Sequence, residues 1–228
     1  VGFLVESLRA SAALVATLDP DLRSAVWVSL YVSFWSTVFA SGIGIPLGLG
    51  IGLSDFSLKR PAITALNSLT AVPTVLIGLL VYGFVSRQGP LGDWGLLFTP
   101  EAIILGDAIL AAPIVANFTL AAVRGADPAI VPTALTLGAT RAQSTATLLS
   151  EIRFGVVAAV ISGFGRVVSE VGVAMMLGGN IRGFTRTMTT AIALETSKGE
   201  FALGIALGIV LLAVAFAVNV LLHLLQQK

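Results

Sequence analysis

The sequence predicts an all-α polytopic membrane protein with about five spanning helices, and three observations lead there. Hydrophobic residues fill 56% of 228 positions and charged ones only 11%, against about a quarter charged in a soluble domain. Mean hydropathy is +0.98. Long intervals carry no ionisable group: 24–54, 61–86 and 201–222. Each exceeds the roughly 20 apolar residues that cross a bilayer as a helix. A chain in lipid must satisfy its own backbone hydrogen bonds, so these windows are helices. Lys+Arg 13 against Asp+Glu 12 leaves +1, too little field for nucleic acid. With no cysteine and the single histidine His223, disulfide scaffolds, thiolate chemistry and multi-histidine metal sites are excluded. No catalytic residue, cofactor or metal is expected.

Taken in order, residues 1–22 form an N-terminal interfacial segment. Residues 3–18 are apolar but hold Glu6 and Arg9; they are slightly short to span and lack the basic start of a signal peptide. Val1 in first position is expected of a trimmed sequence or an alternative start codon. The first span, 24–54, carries Gly44, Gly48 and Gly52 at every fourth position, a stripe that lets a second helix approach closely. Pro46 within it and Pro73 within the second span are expected to bend them. The third span, Ile103–Val123, holds Asp107, expected as a buried carboxyl bonded to Ser, Thr or Arg166; Glu101 is expected at the outer interface. The fourth, Phe154–Leu177, holds Arg166, Glu170 and a Gly155–Ala159–Gly163 stripe. The fifth, 201–222, carries Gly204 and Gly208.

The longest stretch outside the membrane is 124–153. Asp127 suits an N-cap and Pro128 a first helical position. Gly138 suits a helix end, and Thr140-x-x-Gln143 matches a capping box. A short helix, a tight turn and a second helix running on through Leu148 into the membrane are predicted. Such a rigid knob either transmits force to a soluble partner or merely connects two spans.

In the fourth span Arg166 and Glu170 lie four apart, on one helix face. Pairing removes most of the roughly 2.5–3.5 kcal/mol that a lone charge costs at the bilayer centre. The pair either fixes helix register or sits at a gate with Gly172. Gly178-Gly179-Asn180 is expected to break the helix near the outer face. The Thr187–Thr190 run then opens a half-helix, Ala191–Leu194, with Met175 and Met176 at a constriction. Arg182 and Arg186 at this outer mouth either receive an anion, dock a binding protein, or are solvated loop charges.

Residues Thr133-Ala134-Leu135-Thr136-Leu137-Gly138-Ala139 resemble the Ala-x-x-x-Gly core of the coupling loop of ABC-transporter permeases, with Pro132 where the family has Glu. Gly165–Gly172, Met175–Ile181 and Thr185–Thr196, with Thr70-Ala71-Val72-Pro73, resemble the tungstate branch of the oxyanion-importer permeases, related to the molybdate permeases. The likeness extends over about 20–226. It implies one transmembrane permease domain over 1–228 in a bacterial or archaeal cell (inner) membrane. The 124–153 loop is then cytoplasmic, with Pro132, Thr133, Ala134, Leu135, Gly138, Ala139, Arg141, Leu148 and Glu151 toward an ABC ATPase. Charge alone does not orient the chain: with that loop inside, six Lys and Arg, Lys228 among them, lie on each side.

No Gly-x-x-x-x-Gly-Lys-Ser/Thr occurs, so ATP is expected to be hydrolysed by a partner. Five helices enclose little room, which argues for a homodimer around a central path; the resemblance implies an extracytoplasmic oxyanion-binding protein that feeds it. Alternatives are the same architecture carrying molybdate, sulfate or another solute, an autonomous channel or ion-coupled secondary transporter using Asp107, Arg166 and Glu170 as a relay, and a purely structural membrane protein.

Overall fold

The computed structural model describes residues 2–17 and 19–226, so Lys228 lies outside the described residues. All regular structure among them is helical. The helices are α1 (Gly2–Ala16), α2 (Pro20–Leu53), α3 (Lys59–Thr70), α4 (Thr74–Val85), α5 (Pro100–Gly125), α6 (Ile130–Thr136), α7 (Arg141–Glu151), α8 (Arg153–Val168), α9 (Gly172–Gly178), α10 (Met188–Lys198) and α11 (Phe201–Gln226). Three are long and apolar enough to cross a membrane, and the number rises to five if each of two bent pairs is one span. α1 has 15 residues, about 22 Å of helix, and packs Leu14 and Val15 against α11.

The frame is α2 beside α5. A Cβ on Gly44 would sit 2.7 Å from the Ala112 carbonyl, one on Gly48 2.7 Å from Thr119 Cβ, and one on Gly52 2.7 Å from Val123 Cγ1. Partner numbers rise with the glycine numbers, so the two helices run parallel and nearly in contact. α8 closes on the same α5: Gly155 faces Ala122 and Gly163 faces Val115. Gly208 differs from these, since a Cβ there would meet nothing within 4 Å. The expected small-residue stripe on the last span is therefore not a close contact.

Two predicted spans are broken. The 61–86 window is α3 and α4, bent by 94°. Pro73 supplies no N–H and disfavours helical backbone at Val72, so α3 ends and α4 restarts behind Pro73. By contrast α2 continues through Pro46 as one element. The 154–177 window is α8 and α9, interrupted at Ser169–Val171. The predicted run of the second knob helix straight into the membrane is also corrected: α7 stops at Glu151 and α8 leaves at 71°. Polar α7 stays at the surface while apolar α8 turns inward, with Ile152 buried at the elbow.

The packing of α2 on α5 makes a contrast between neighbouring glycines. Gly48→Ala is expected to lower stability by about 1–3 kcal/mol through overpacking. Gly50→Ala, where a Cβ meets nothing within 4 Å, should be neutral or gain up to about 1 kcal/mol from helix propensity. Unfolding midpoints of the two variants in one detergent check this.

Candidate functional site

The surface knob is built locally. Asp127 Oδ1 accepts from the Ala129 N–H at 2.8 Å, so Asp127 shapes the entering turn and α6 starts at Ile130, not at Pro128. Gly138 takes φ +89°, a conformation that costs glycine little. The capping box forms as its spacing predicts: Gln143 N–H donates to Thr140 Oγ1 at 3.3 Å and Thr140 N–H to Gln143 Oε1 at 2.8 Å. The base is anchored, with Leu148 and Ile152 buried against Leu49 and with Ile130 and Val131 beside them. Leu148 is therefore an anchor, not surface. The tip is bare. α6 has no buried residue; Pro132, Thr133, Leu135, Gly138, Arg141 and Glu151 are exposed, and Ala134 and Ala139 half-buried. Leu137 is 83% exposed.

Deeper in the chain, the break between α8 and α9 is organised by one carboxylate. Arg166 Nη1 donates to Glu170 Oε2 at 2.6 Å. Glu170 Oε1 accepts from the N–H groups of Gly172 at 2.8 Å and Val173 at 3.3 Å, capping the otherwise open start of α9. The Glu170 carbonyl accepts from Thr189 Oγ1 at 2.6 Å, which ties the break to α10. The Glu170 side chain is 3% exposed and that of Arg166 35%. A Cβ on Gly172 would lie 3.0 Å from Thr74 Oγ1, so the start of α9 touches the start of α4 and the two broken spans meet. Met176 lies against Gly78, and Met175 is exposed.

Behind the break, Asp107, Ser29, Ser33, Glu170, Thr187 and Thr189 line one small enclosed space. Asp107 Oδ1 is buried and has no hydrogen-bond partner. The expected bond to Ser, Thr or Arg166 is absent among the described residues. Ser29 Oγ instead accepts from the Met188 N–H at 2.7 Å.

The second predicted break stands as expected. Gly179 and Asn180 have φ +66° and +53°, and Thr185 Oγ1 donates to the Gly178 carbonyl and accepts from the Ile181 N–H. The half-helix is longer than predicted, Met188–Lys198, with Thr187 and Thr190 forming its capping box. Arg182 makes a two-pronged pair with Asp21 at 2.6 and 2.5 Å; hydrogen bonding to Asp21 shifts its guanidinium further toward the charged form. The Arg186 side chain is only 16% exposed, 3.8 Å from Glu195, which Lys198 also contacts. Both arginines of the expected mouth are thus paired with acids.

Residues 44–228 match the family described as the binding-protein-dependent transport system inner membrane component. The chain belongs to this family. It is 38% identical to the tungstate uptake system permease protein of Peptoclostridium acidaminophilum over 99% of both chains. It is 40% identical to that of Campylobacter jejuni, covering 99% of this chain and 94% of the relative. A chain of the MetNI methionine ABC transporter, in an inward-facing crystal form, shares the fold with TM-score 0.74 at 18% identity, over 90% of this chain and 94% of that one.

As an inner membrane component of such a system the chain is non-catalytic. At the helix break the Arg166 and Glu170 charges are paired with each other. Sequence reasoning paired Arg166 with Glu170 but missed the cap on α9 and the contributions of Ser29 and Thr189. An acidic residue two positions before a glycine-started apolar segment was the available signal. Arg166→Ala is expected to cost about 2–4 kcal/mol, less than for a fully buried pair because a third of Arg166 is solvated. Arg166→Met combined with Glu170→Gln should recover most of that loss, and denaturant unfolding of single and double variants measures the coupling.

Proposed function

We propose that this chain forms the membrane pathway of an ATP-driven importer for tungstate or a related oxyanion. Two copies would surround the path as one transmembrane domain each, with ABC ATPase subunits on α6–α7 and a binding protein at the outer face. The observation that carries the cargo is the near-full-length identity to two tungstate uptake permeases. Support for the ATPase surface comes from the knob: a capped, anchored helix pair whose tip leaves Leu137 83% exposed. A large apolar side chain at the tip of a rigid element suits an anchor in a partner's pocket.

In this reading Arg166, Glu170, Gly172, Met175, Met176, Gly178, Gly179 and Asn180 border the gate. ATP binding closes the ATPase dimer, moves the knob, and shifts the population of two pathway states. Arg166 meets the path with its charge already offset by Glu170, so a dianion passes without being trapped. Arg182 and Arg186 then act as bracing at the outer face.

The test is uptake of labelled tungstate by cells expressing this chain with its ATPase and binding protein, with molybdate and sulfate as competitors. Saturable uptake requiring all three components is expected. Leu137→Glu should reduce it at least about tenfold, the loss of an anchor worth ~1.4 kcal/mol or more, at unchanged abundance in the membrane. Uptake persisting without the ATPase would instead make the chain an autonomous channel. ATPase-dependent uptake that prefers another anion would leave the architecture and change the cargo.

A further inference from the structure

The outward side of the α2–α5 pair is not flush. A cavity of about 580 Å³ opens between Tyr31, Trp35 and Phe39 of α2 and Glu101, Leu105 and Ile109 of α5. Its lining is aromatic and aliphatic apart from Glu101, and Glu101 is the only charged residue in it. The carboxylate is exposed and has no hydrogen bond or ion pair to another described residue. Trp35 meets Phe34 edge-on and lies tilted against Phe39, with ring centroids 5.5 and 6.1 Å away.

Depth follows from the parallel register. Tyr31, Trp35 and the 69%-exposed Trp27 recur every fourth residue along one face of α2, and such amphipathic aromatics are enriched at the membrane–water interface. Glu101 opens α5 at the same level, behind the Thr99 cap. From Glu101 the cavity descends to Ile109, about 12 Å of helix, into the hydrocarbon. It therefore starts at headgroup depth with a negative charge and continues as an apolar slot.

We propose that this groove binds a phospholipid with a protonated amine headgroup, the amine on Glu101 and one acyl chain along Trp35, Phe39 and Ile109. Charge complementarity selects the headgroup, and the apolar walls accept any acyl chain. An anionic phosphatidylglycerol fits the slot equally well but meets the Glu101 carboxylate with like charge. The proposal concerns the outer leaflet and is independent of the transported anion.

The test uses the full chain in lipid nanodiscs, with Trp27 and Trp94 replaced by Phe so that Trp35 is the only tryptophan, excited selectively over Tyr31 and Tyr82. Equimolar phosphatidylethanolamine and phosphatidylglycerol are used, with dibrominated acyl chains on one lipid and then on the other. Quenching of Trp35 is expected to give a preference of about two- to five-fold for the amine lipid, the scale of one solvated ion pair. E101Q should bring the ratio to about one, and E101K should invert it. Equal quenching in the parent, or a preference unchanged in E101Q and E101K, overturns the proposal. So does a Trp35 shielded from both lipids, which would mean that a second copy of the chain covers the groove.

Discussion

A helix cannot be interrupted inside a bilayer unless protein groups, or water held in a cavity, take up the freed backbone groups. Here that task falls to Glu170. One oxygen receives two N–H groups at the start of α9, the other receives Arg166 from the last turn of α8, and its carbonyl receives Thr189 from α10. Three separate helices are thus referred to one residue. A charge that would be expensive alone becomes the common reference for α8, α9 and α10, and the start of α4 packs against the same place.

The rest of the molecule divides into stiff and adjustable parts. α2, α5 and α8 are packed through glycines at distances that leave no room for a methyl group, so they behave as one body. The knob is rigid within itself, held by its capping box and by Leu148, yet it joins α8 through a single elbow at Ile152. A push on α6 and α7 is therefore felt by α8 through that elbow, and by α2 and α5 through the apolar cluster that Leu148 and Ile152 share with Leu49, Ala122 and Val123.

Much of the fold was legible because its signals are local or compositional. Charge-free windows locate α2 and α11, an apolar window interrupted by Asp107 locates α5, and Gly138 with Thr140-x-x-Gln143 locates the turn between α6 and α7. Hydropathy windows are blind to interruptions, however, since Val72-Pro73 and Ser169-Glu170-Val171 leave average hydropathy nearly unchanged. For that reason both broken spans read as single spans, the first with only a bend at Pro73. The site was legible as far as neighbours on one helix face reach, which brought Arg166 and Glu170 together. Arg182 with Asp21, Met188 with Ser29 and Thr189 with Glu170 join positions remote in the chain, and periodicity carries no trace of them. Asp107 was expected to be bonded and is not; of the polar residues sharing its space, Ser29 meets the Met188 N–H and Thr189 the Glu170 carbonyl instead.

The 34 residues of α2 make a rod about 51 Å long, well beyond a hydrocarbon core of about 30 Å. A free helix would absorb the excess by leaning over. This one is locked to α5 along Gly44, Gly48 and Gly52, so it cannot lean alone. Any thinning or thickening of the surrounding bilayer must rotate α2 and α5 together, and α8 rides on α5. The chain is thereby mechanically coupled to the thickness of its host membrane, with the α8–α9 break at the far end of that lever.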